Sequence, residues 1–229
     1  MVLNFHHLMV VDICVLDQLT VLFVYGILKH QNHYIFSMDM KKVNNNDNNN
    51  KINHIGVIGG NGYTICSGSY DNTIRIWDIE TTKQLNVFKG HEDSIKSAKY
   101  GSNELLNTIL SGSHDKSVRL WDIRSGQQIQ LFNGHLCTVT CVEYSSFVIK
   151  DSIGNSNVIC SGSLDNTIRF WDIRSNKNEL YMIKGDEKEE DGIICLKFIV
   201  LKKKKETKDI AHDLNLCYGS YKGPIRIWG

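Results

Sequence analysis

Apolar residues in the middle of the chain recur at the period of β-strands rather than helices. Ser94–Tyr100 alternates as a half-buried strand does. Ile109–Ser113 is a short apolar run that ends in small residues, and Ser117–Ile123 is rich in β-branched and aromatic residues. Gln128–Phe132 closes the unit. Turn-forming residues separate these runs, so the pattern predicts four antiparallel strands within about 44 residues.

The unit repeats. SGSYDNTIRIWDI at Ser67–Ile79 returns as SGSHDKSVRLWDI at Ser111–Ile123 and as SGSLDNTIRFWDI at Ser161–Ile173, and a degraded copy, YGSYKGPIRIWG, occupies Tyr218–Gly229. In every copy the first residue of the triplet stands ten before the Trp. Two copies continue to a Gly-His pair thirteen residues past the Trp, at Gly90-His91 and Gly134-His135, and the third reaches Gly185-Asp186 instead. A fixed internal period of this size marks a stacked repeat architecture.

These residues resemble the WD40-repeat family (G-protein β-subunit-like repeats) over roughly residues 56–229. The resemblance implies an all-β fold: a fragment of a WD40-type β-propeller with three full four-stranded blades and a partial fourth, whose ring this chain alone does not close. Blades are expected at about 56–89, 90–133, 134–184 and 185–229. It also implies a buried network in each blade, carried over by position as His91, Ser111, Asp115 and Trp121, then His135, Ser161, Asp165 and Trp171. The first blade has Ser67, Asp71 and Trp77 without a Gly-His at the expected distance upstream. In the last, Lys222 stands where Asp is expected and Asp186 where His is expected, so that blade is expected to be the least rigid.

The residues have physical reasons of their own. Small triplet residues let neighbouring backbones approach. The Asp of each turn can cap backbone N–H groups, and a buried indole N–H needs an acceptor, which a Ser hydroxyl supplies. His91 with Asp115 also has the composition of a catalytic or metal pair. Its spacing repeats with the blade, and no third ligand or nucleophile repeats with it, which favours a structural role.

The segment before the repeats differs. Residues 1–43 carry no repeat signature, and 44–55 form an Asn-rich linker of low complexity. Leu8–Leu28 is apolar, but Asp12, Asp17 and Gln18 interrupt it, leaving a run too short to span a bilayer. No basic region precedes it as a signal peptide requires. Back-translation of Asn4–Met40, read from the third base of each codon, permits a further repeat tail with the same two spacings. The expectation is that residues 4 to about 43 are an out-of-frame translation of another blade, and that the chain is a piece of a longer propeller or the product of a decayed gene.

Charge and cysteines refine the picture. The net charge is +1, which gives no bias toward nucleic acid or an anionic membrane. Lys202–Lys205 with Lys208 is a basic run whose composition also suits a nuclear-import signal, and Glu187–Asp191 is an acidic counterpart; both are expected to be solvated loops. Of seven cysteines, Cys66, Cys160 and Cys217 share one repeat position and are expected to be small core residues. Cys137 and Cys141, four apart on one expected strand, are too far apart along it for a disulfide. Free thiols favour a reducing, intracellular compartment, cytoplasmic or nuclear.

The family resemblance implies a non-catalytic scaffold that binds other proteins, without cofactor, metal or small-molecule substrate. Positions that vary between otherwise identical repeats are the candidates for partner contact. Just before the turn Asp stand Tyr70, His114 and Leu164. After the Gly-His stand Glu92 and Leu136, with Ser94 and Thr138 two further on. Alternatives are a substrate-adaptor propeller, a ribonucleoprotein subunit, against which the even spread of charge argues, and a non-functional truncated product.

Overall fold

The computed structural model describes residues 35–42, 63–78, 81–101, 105–151, 154–174, 179–186, 189–200, 214–223 and 225–228. Among these the chain is built of strands. Four antiparallel sheets follow one another along the sequence. The first contains β1 (Ile35–Lys42), β2 (Tyr63–Ser69), β3 (Thr73–Asp78) and β4 (Gln84–Lys89). The second contains β5 (Ile95–Tyr100), β6 (Thr108–Ser113), β7 (Ser117–Asp122) and β8 (Gln128–Asn133). The third contains β9 (Val139–Asp151), β10 (Gly154–Ser163), β11 (Thr167–Asp172) and β12 (Tyr181–Lys184). The fourth has three strands, β13 (Ile193–Val200), β14 (Leu214–Ser220) and β15 (Arg226–Trp228).

Each sheet is a meander, and its first strand is innermost. β1 packs on β5, β5 on β9 and β9 on β13, so the first strands converge while β4, β8 and β12 splay outward. Burial follows this order. Every residue of β6 is buried, whereas β8 alternates exposed and buried side chains. The sequence anticipates this gradient: the fully buried strands are continuous apolar or small runs, and the outer one alternates. The result is an unclosed arc of propeller blades, three of four strands and one of three.

The middle Gly of each triplet explains how closely the sheets stack. A Cβ on Gly68 would lie 2.4 Å from Ile95 Cγ2, one on Gly112 2.6 Å from Val139 Cγ1, and one on Gly162 2.7 Å from Ile193 Cγ2. In all three cases the obstructing side chain is the first residue, or the residue at the same register, of the next sheet's inner strand. Each glycine is a seat for the following blade. The core is correspondingly continuous between sheets: Ile74 and Ile76 pack with Ile95, Ala98 and Tyr100, and Val118 and Leu120 with Val139, Val142 and Tyr144.

The first blade starts earlier than residue 56. Its inner strand is β1, drawn from a segment that the sequence pattern set outside the repeats, and it pairs with β2 from Ile35↔Ser69 to Lys42↔Tyr63. Residues 1–34 and 43–62 lie outside the described residues, and with them the rest of the proposed out-of-frame stretch and the Asn-rich linker. The basic run at 202–208 lies outside them as well.

The cysteines are free thiols among the described residues. Cys66 and Cys160 are fully buried as expected, and Cys217, in the last sheet, is only partly so. Cys137 precedes β9 rather than sharing a strand with Cys141. Burial pushes the Cys141 thiol up to about 12.

The glycine seat is open to test. Gly112→Ala is expected to lower the unfolding free energy by ~1–3 kcal/mol through overpacking against Val139, measured by urea denaturation. An unchanged midpoint would show that the second and third sheets do not meet there.

Candidate functional site

In each four-stranded sheet the Trp of the third strand donates its indole N–H to the first Ser of the triplet on the second strand. The distances are 2.9 Å for Trp77–Ser67, 2.8 Å for Trp121–Ser111 and 2.9 Å for Trp171–Ser161. The ten-residue spacing places them on one face as diagonal neighbours: the ladder pairs Ile109 with Trp121 and Ser111 with Arg119, so Ser111 lies two residues along the hairpin from the residue opposite Trp121.

In the second and third sheets the chain of bonds continues. Ser111 Oγ is 2.7 Å from His91 Nε2, and His91 Nδ1 is 2.7 Å from Asp115 Oδ2. Ser161 Oγ is 2.8 Å from His135 Nε2, and His135 Nδ1 is 2.9 Å from Asp165 Oδ2. The direction follows from valence. The ionised carboxylate can only accept, so Nδ1–H donates to it, and Nε2 then accepts from the Ser hydroxyl, whose oxygen accepts from the indole. All eight residues thus assemble as two tetrads, each tying the loop that enters the blade to its central hairpin.

The carboxylates do more than receive the imidazole. Asp115 Oδ2 accepts from the Glu92 N–H at 3.0 Å, and Oδ1 from the Ser117 N–H at 3.0 Å and its hydroxyl at 2.6 Å. Asp165 repeats this with Leu136 and Thr167. Burial raises the Asp115 carboxyl, but the bonds from His91 and Ser117, with the Glu92 N–H, outweigh it and hold it well below the usual range. His91 is driven down chiefly by burial, against the pull of Asp115. The pair therefore rests as a neutral imidazole beside an ionised carboxylate.

Glycine again makes room. A Cβ on Gly90 would stand 3.0 Å from Trp121 Cη2, and one on Gly134 2.8 Å from Arg169 Nη1 and 3.0 Å from Trp171 Cη2. The residue between the turn Asp and the following Ser or Thr is left-handed in all three copies: φ is 65° at Asn72, 68° at Lys116 and 62° at Asn166. Asn tolerates this better than Lys.

The first sheet has Trp77, Ser67 and Asp71 in place with no imidazole described above them. Asp71 instead accepts from Arg75 at 2.6 Å and Thr73 at 2.6 Å. Its carboxylate is 33 % exposed, against 6 % for Asp115.

The last sheet replaces the network. Tyr218 occupies the triplet Ser position, and its hydroxyl donates to Glu190 at 3.3 Å. Glu190, 1 % exposed, also accepts from the Asp186 N–H at 3.1 Å and lies 2.5 Å from Arg226 Nε. The acidic segment 187–191 is thus not wholly a solvated loop: Glu190 is a core carboxylate. Trp228 is 41 % exposed and packs with Phe170 and Tyr181.

Sequence reasoning missed Ser117 and Thr167, and it missed Arg119, whose guanidinium reaches Ser117, Gly90 O and Asp115. Each recurs at a fixed offset from the turn Asp, and that recurrence was the signal. Glu190 has no counterpart in the other repeats and so left none.

Five of the seven candidate contact residues sit on the exposed turns of the tetrad end of the sheets. Leu136 is 77 %, Tyr70 53 % and Leu164 42 % exposed, and His114 and Glu92 are also exposed. Lys96 Nζ stands 4.6 Å from the Tyr70 ring centroid, and His114 Nδ1 lies 2.8 Å from Asp93. The other two are not at the surface. Ser94 is 4 % and Thr138 5 % exposed, and their carbonyls accept the His114 and Leu164 N–H groups and tie the turns together. Among the described residues no group of three or more His, Cys, Asp or Glu is placed to hold a metal ion.

The chain matches the family model described as "WD domain, G-beta repeat" at residues 28–78, 82–122 and 126–172. It is 43 % identical over 44 residues to cell division control protein 4 of Saccharomyces cerevisiae, a match that covers 19 % of this chain and 6 % of that protein. The crystal structure of the computationally designed Ika8 protein superposes with a TM-score of 0.56 at 22 % identity, over 85 % of this chain and 45 % of that one. For the computationally designed Ika4 protein the values are 0.55 and 23 %, over 87 % and 92 %. At these identities the designed proteins speak for the fold alone.

The relay makes a pH prediction. His91 lies below its usual 6.5 and Asp115 below its usual 3.8. Both are depressed in the folded state, so their contribution is full above those values and is lost as pH falls through the folded ones. Protonating His91 would also put a donor on Nε2, so the Ser111 hydroxyl would lose the acceptor for its own proton. The thermal midpoint is expected to hold near pH 7 and to fall progressively below about pH 6.5, with a shallower fall in His91→Gln. Equal slopes in the two proteins would show that His91 is not held neutral by this network.

Proposed function

We propose, on the premise that the chain belongs to the WD-domain, G-beta repeat family, that it is a non-catalytic scaffold whose tetrad-end turns bind other proteins. Domains of this family generally serve as protein-interaction scaffolds and typically lack catalysis. The observation that carries the finer reading is the pairing of Leu136 and Leu164 on adjoining turns of the third sheet. Both are exposed, 77 % and 42 %. Both turns are held from beneath: the Leu136 N–H donates to Asp165 and the Leu164 N–H to Thr138 O. An apolar pair on rigid turns loses little conformational entropy when it is covered. Tyr70 and His114 extend the same end of the arc with amphipathic side chains of the kind enriched at binding hot spots. The free buried thiols favour a reducing, intracellular setting for this scaffold.

Quantitative mass spectrometry of proteins captured by the tagged chain tests this reading. Leu136→Asp with Leu164→Asp is expected to reduce a defined set of partners by about tenfold or more, the equivalent of ~1.4 kcal/mol. Leu131→Asp, on the outer strand β8, is expected to leave that set intact. Equal capture by all three proteins would overturn the proposal.

A further inference from the structure

The inner strands of the four sheets carry alternating charge at one register position, and we propose that this alternation fixes the order in which the sheets stack. The position is the fifth of each inner strand: Asp39 in β1, Lys99 in β5, Glu143 in β9 and Lys197 in β13. The ladders set these residues opposite Cys66, Leu110, Cys160 and Cys217, which themselves hold one repeat position. Along the arc the charges therefore run acid, base, acid, base.

The apolar contacts between sheets do not select the right neighbour, because they are alike. Ile74 and Ile76 pack with Ile95, Ala98 and Tyr100. Val118 and Leu120 pack with Val139, Val142 and Tyr144. Ile168 and Phe170 pack with Ile193 and Leu196, with Phe198 beside them. The glycine seats are alike too: Gly68, Gly112 and Gly162 receive Ile95, Val139 and Ile193, each a β-branched residue at the head of the next inner strand. Repeats with such similar faces are open to misassembly while they fold.

The charged position does distinguish one neighbour from another. Lys99 Nζ lies 3.1 Å from Glu143 Oε2, and Lys197 Nζ lies 3.7 Å from the same oxygen, so Glu143 is held between the inner strands on either side of its own. The Lys99 and Glu143 side chains are 18 % and 15 % exposed, and that of Lys197 is 52 % exposed. Attraction between charges so open to water adds little to stability. Exclusion is the larger effect, because like charges brought together across an interface penalise the wrong partner. The fourth sheet stacked on the second would set Lys197 against Lys99. The third stacked on the first would set Glu143 against the register position of Asp39. Either skip of one sheet brings like charges together, and each correct step brings opposite ones.

Stopped-flow refolding of the full chain from urea tests the proposal, with circular dichroism to verify the strands of each end state. Pro224 is the single proline and is common to every variant, so any phase limited by its isomerisation is shared. A neutralised chain, with Asp39→Asn, Lys99→Gln, Glu143→Gln and Lys197→Gln, leaves the second sheet two equivalent partners. About half of its molecules are therefore expected to reach the native state through an added slower phase that the wild type lacks. A charge-inverted chain, with Asp39→Lys, Lys99→Glu, Glu143→Lys and Lys197→Glu, keeps the alternation and is expected to refold without that phase. Ion pairs with a local role alone would lower the unfolding midpoint of the neutralised chain and add no phase. A neutralised chain that refolds in the wild-type phases overturns the proposal, whatever its midpoint. An inverted chain that shows the slow phase, or that does not regain its strands, overturns it as well. Failure of the neutralised chain to regain its strands, beside an inverted chain that does, supports it.

Discussion

One hydrogen bond, from the Trp indole N–H to the Ser hydroxyl ten residues earlier, organises each complete blade. It joins the second and third strands on the face where neighbouring blades press together, and it is buried in all three four-stranded sheets. A buried indole N–H without an acceptor costs on the order of 1–3 kcal/mol, so Ser at that position is a requirement set by the Trp. The turn Asp can only accept, so Nδ1–H of each ring donates to it, and Nε2 of His91 and His135 accepts from the Ser hydroxyl. The order of the tetrad follows from hydrogen-bond valence rather than from any catalytic need.

The same network connects stability to recognition. Asp115 and Asp165 each hold two backbone N–H groups from different loops, one after the Gly-His and one after the turn. The exposed side chains of those loops, Glu92, Leu136 and Leu164 among them, are therefore displayed on backbone fixed from below. Where the imidazole is not described, in the first sheet, Arg75 takes the carboxylate from the solvent side and Asp71 is more exposed. Where Tyr replaces Ser, in the last sheet, a buried carboxylate, Glu190, accepts from the Tyr hydroxyl and lies against Arg226. Trp228 has Tyr218 instead of Ser at the first position of its triplet, and it is half-exposed against Phe170 and Tyr181.

Much of this was legible in the sequence because it repeats. The strands and the shortened fourth blade followed from fixed spacings, and the tetrads of the second and third blades from the family resemblance that those spacings carry. The glycine of the triplet was read as a point of close approach, although its neighbour was not: Ile95, Val139 and Ile193 are 27, 27 and 31 residues away from Gly68, Gly112 and Gly162, and only the stacking of sheets brings them together. β1 was missed because its eight residues carry neither the triplet nor the Trp of the repeat, and an Asn-rich stretch separates it from β2. Glu190 was missed because it is a local solution to a lost Ser and His, without a copy elsewhere. Ser94 and Thr138 were misread as contact residues because position on a turn does not determine which way a short polar side chain is packed; their carbonyls serve the turn and the side chains are buried.

Amide and indole hydrogen exchange followed by NMR measures the organising bond itself. Trp77, Trp121 and Trp171 are expected to show indole Nε1–H protons that exchange slowly, with protection approaching that of the most stable backbone amides of β6. The Trp228 proton, in a blade whose triplet begins with Tyr218, is expected to exchange quickly. Four indoles with the same fast exchange, or a Trp121 proton no better protected than that of Trp228, would contradict the claim that the Trp–Ser bond holds each blade together.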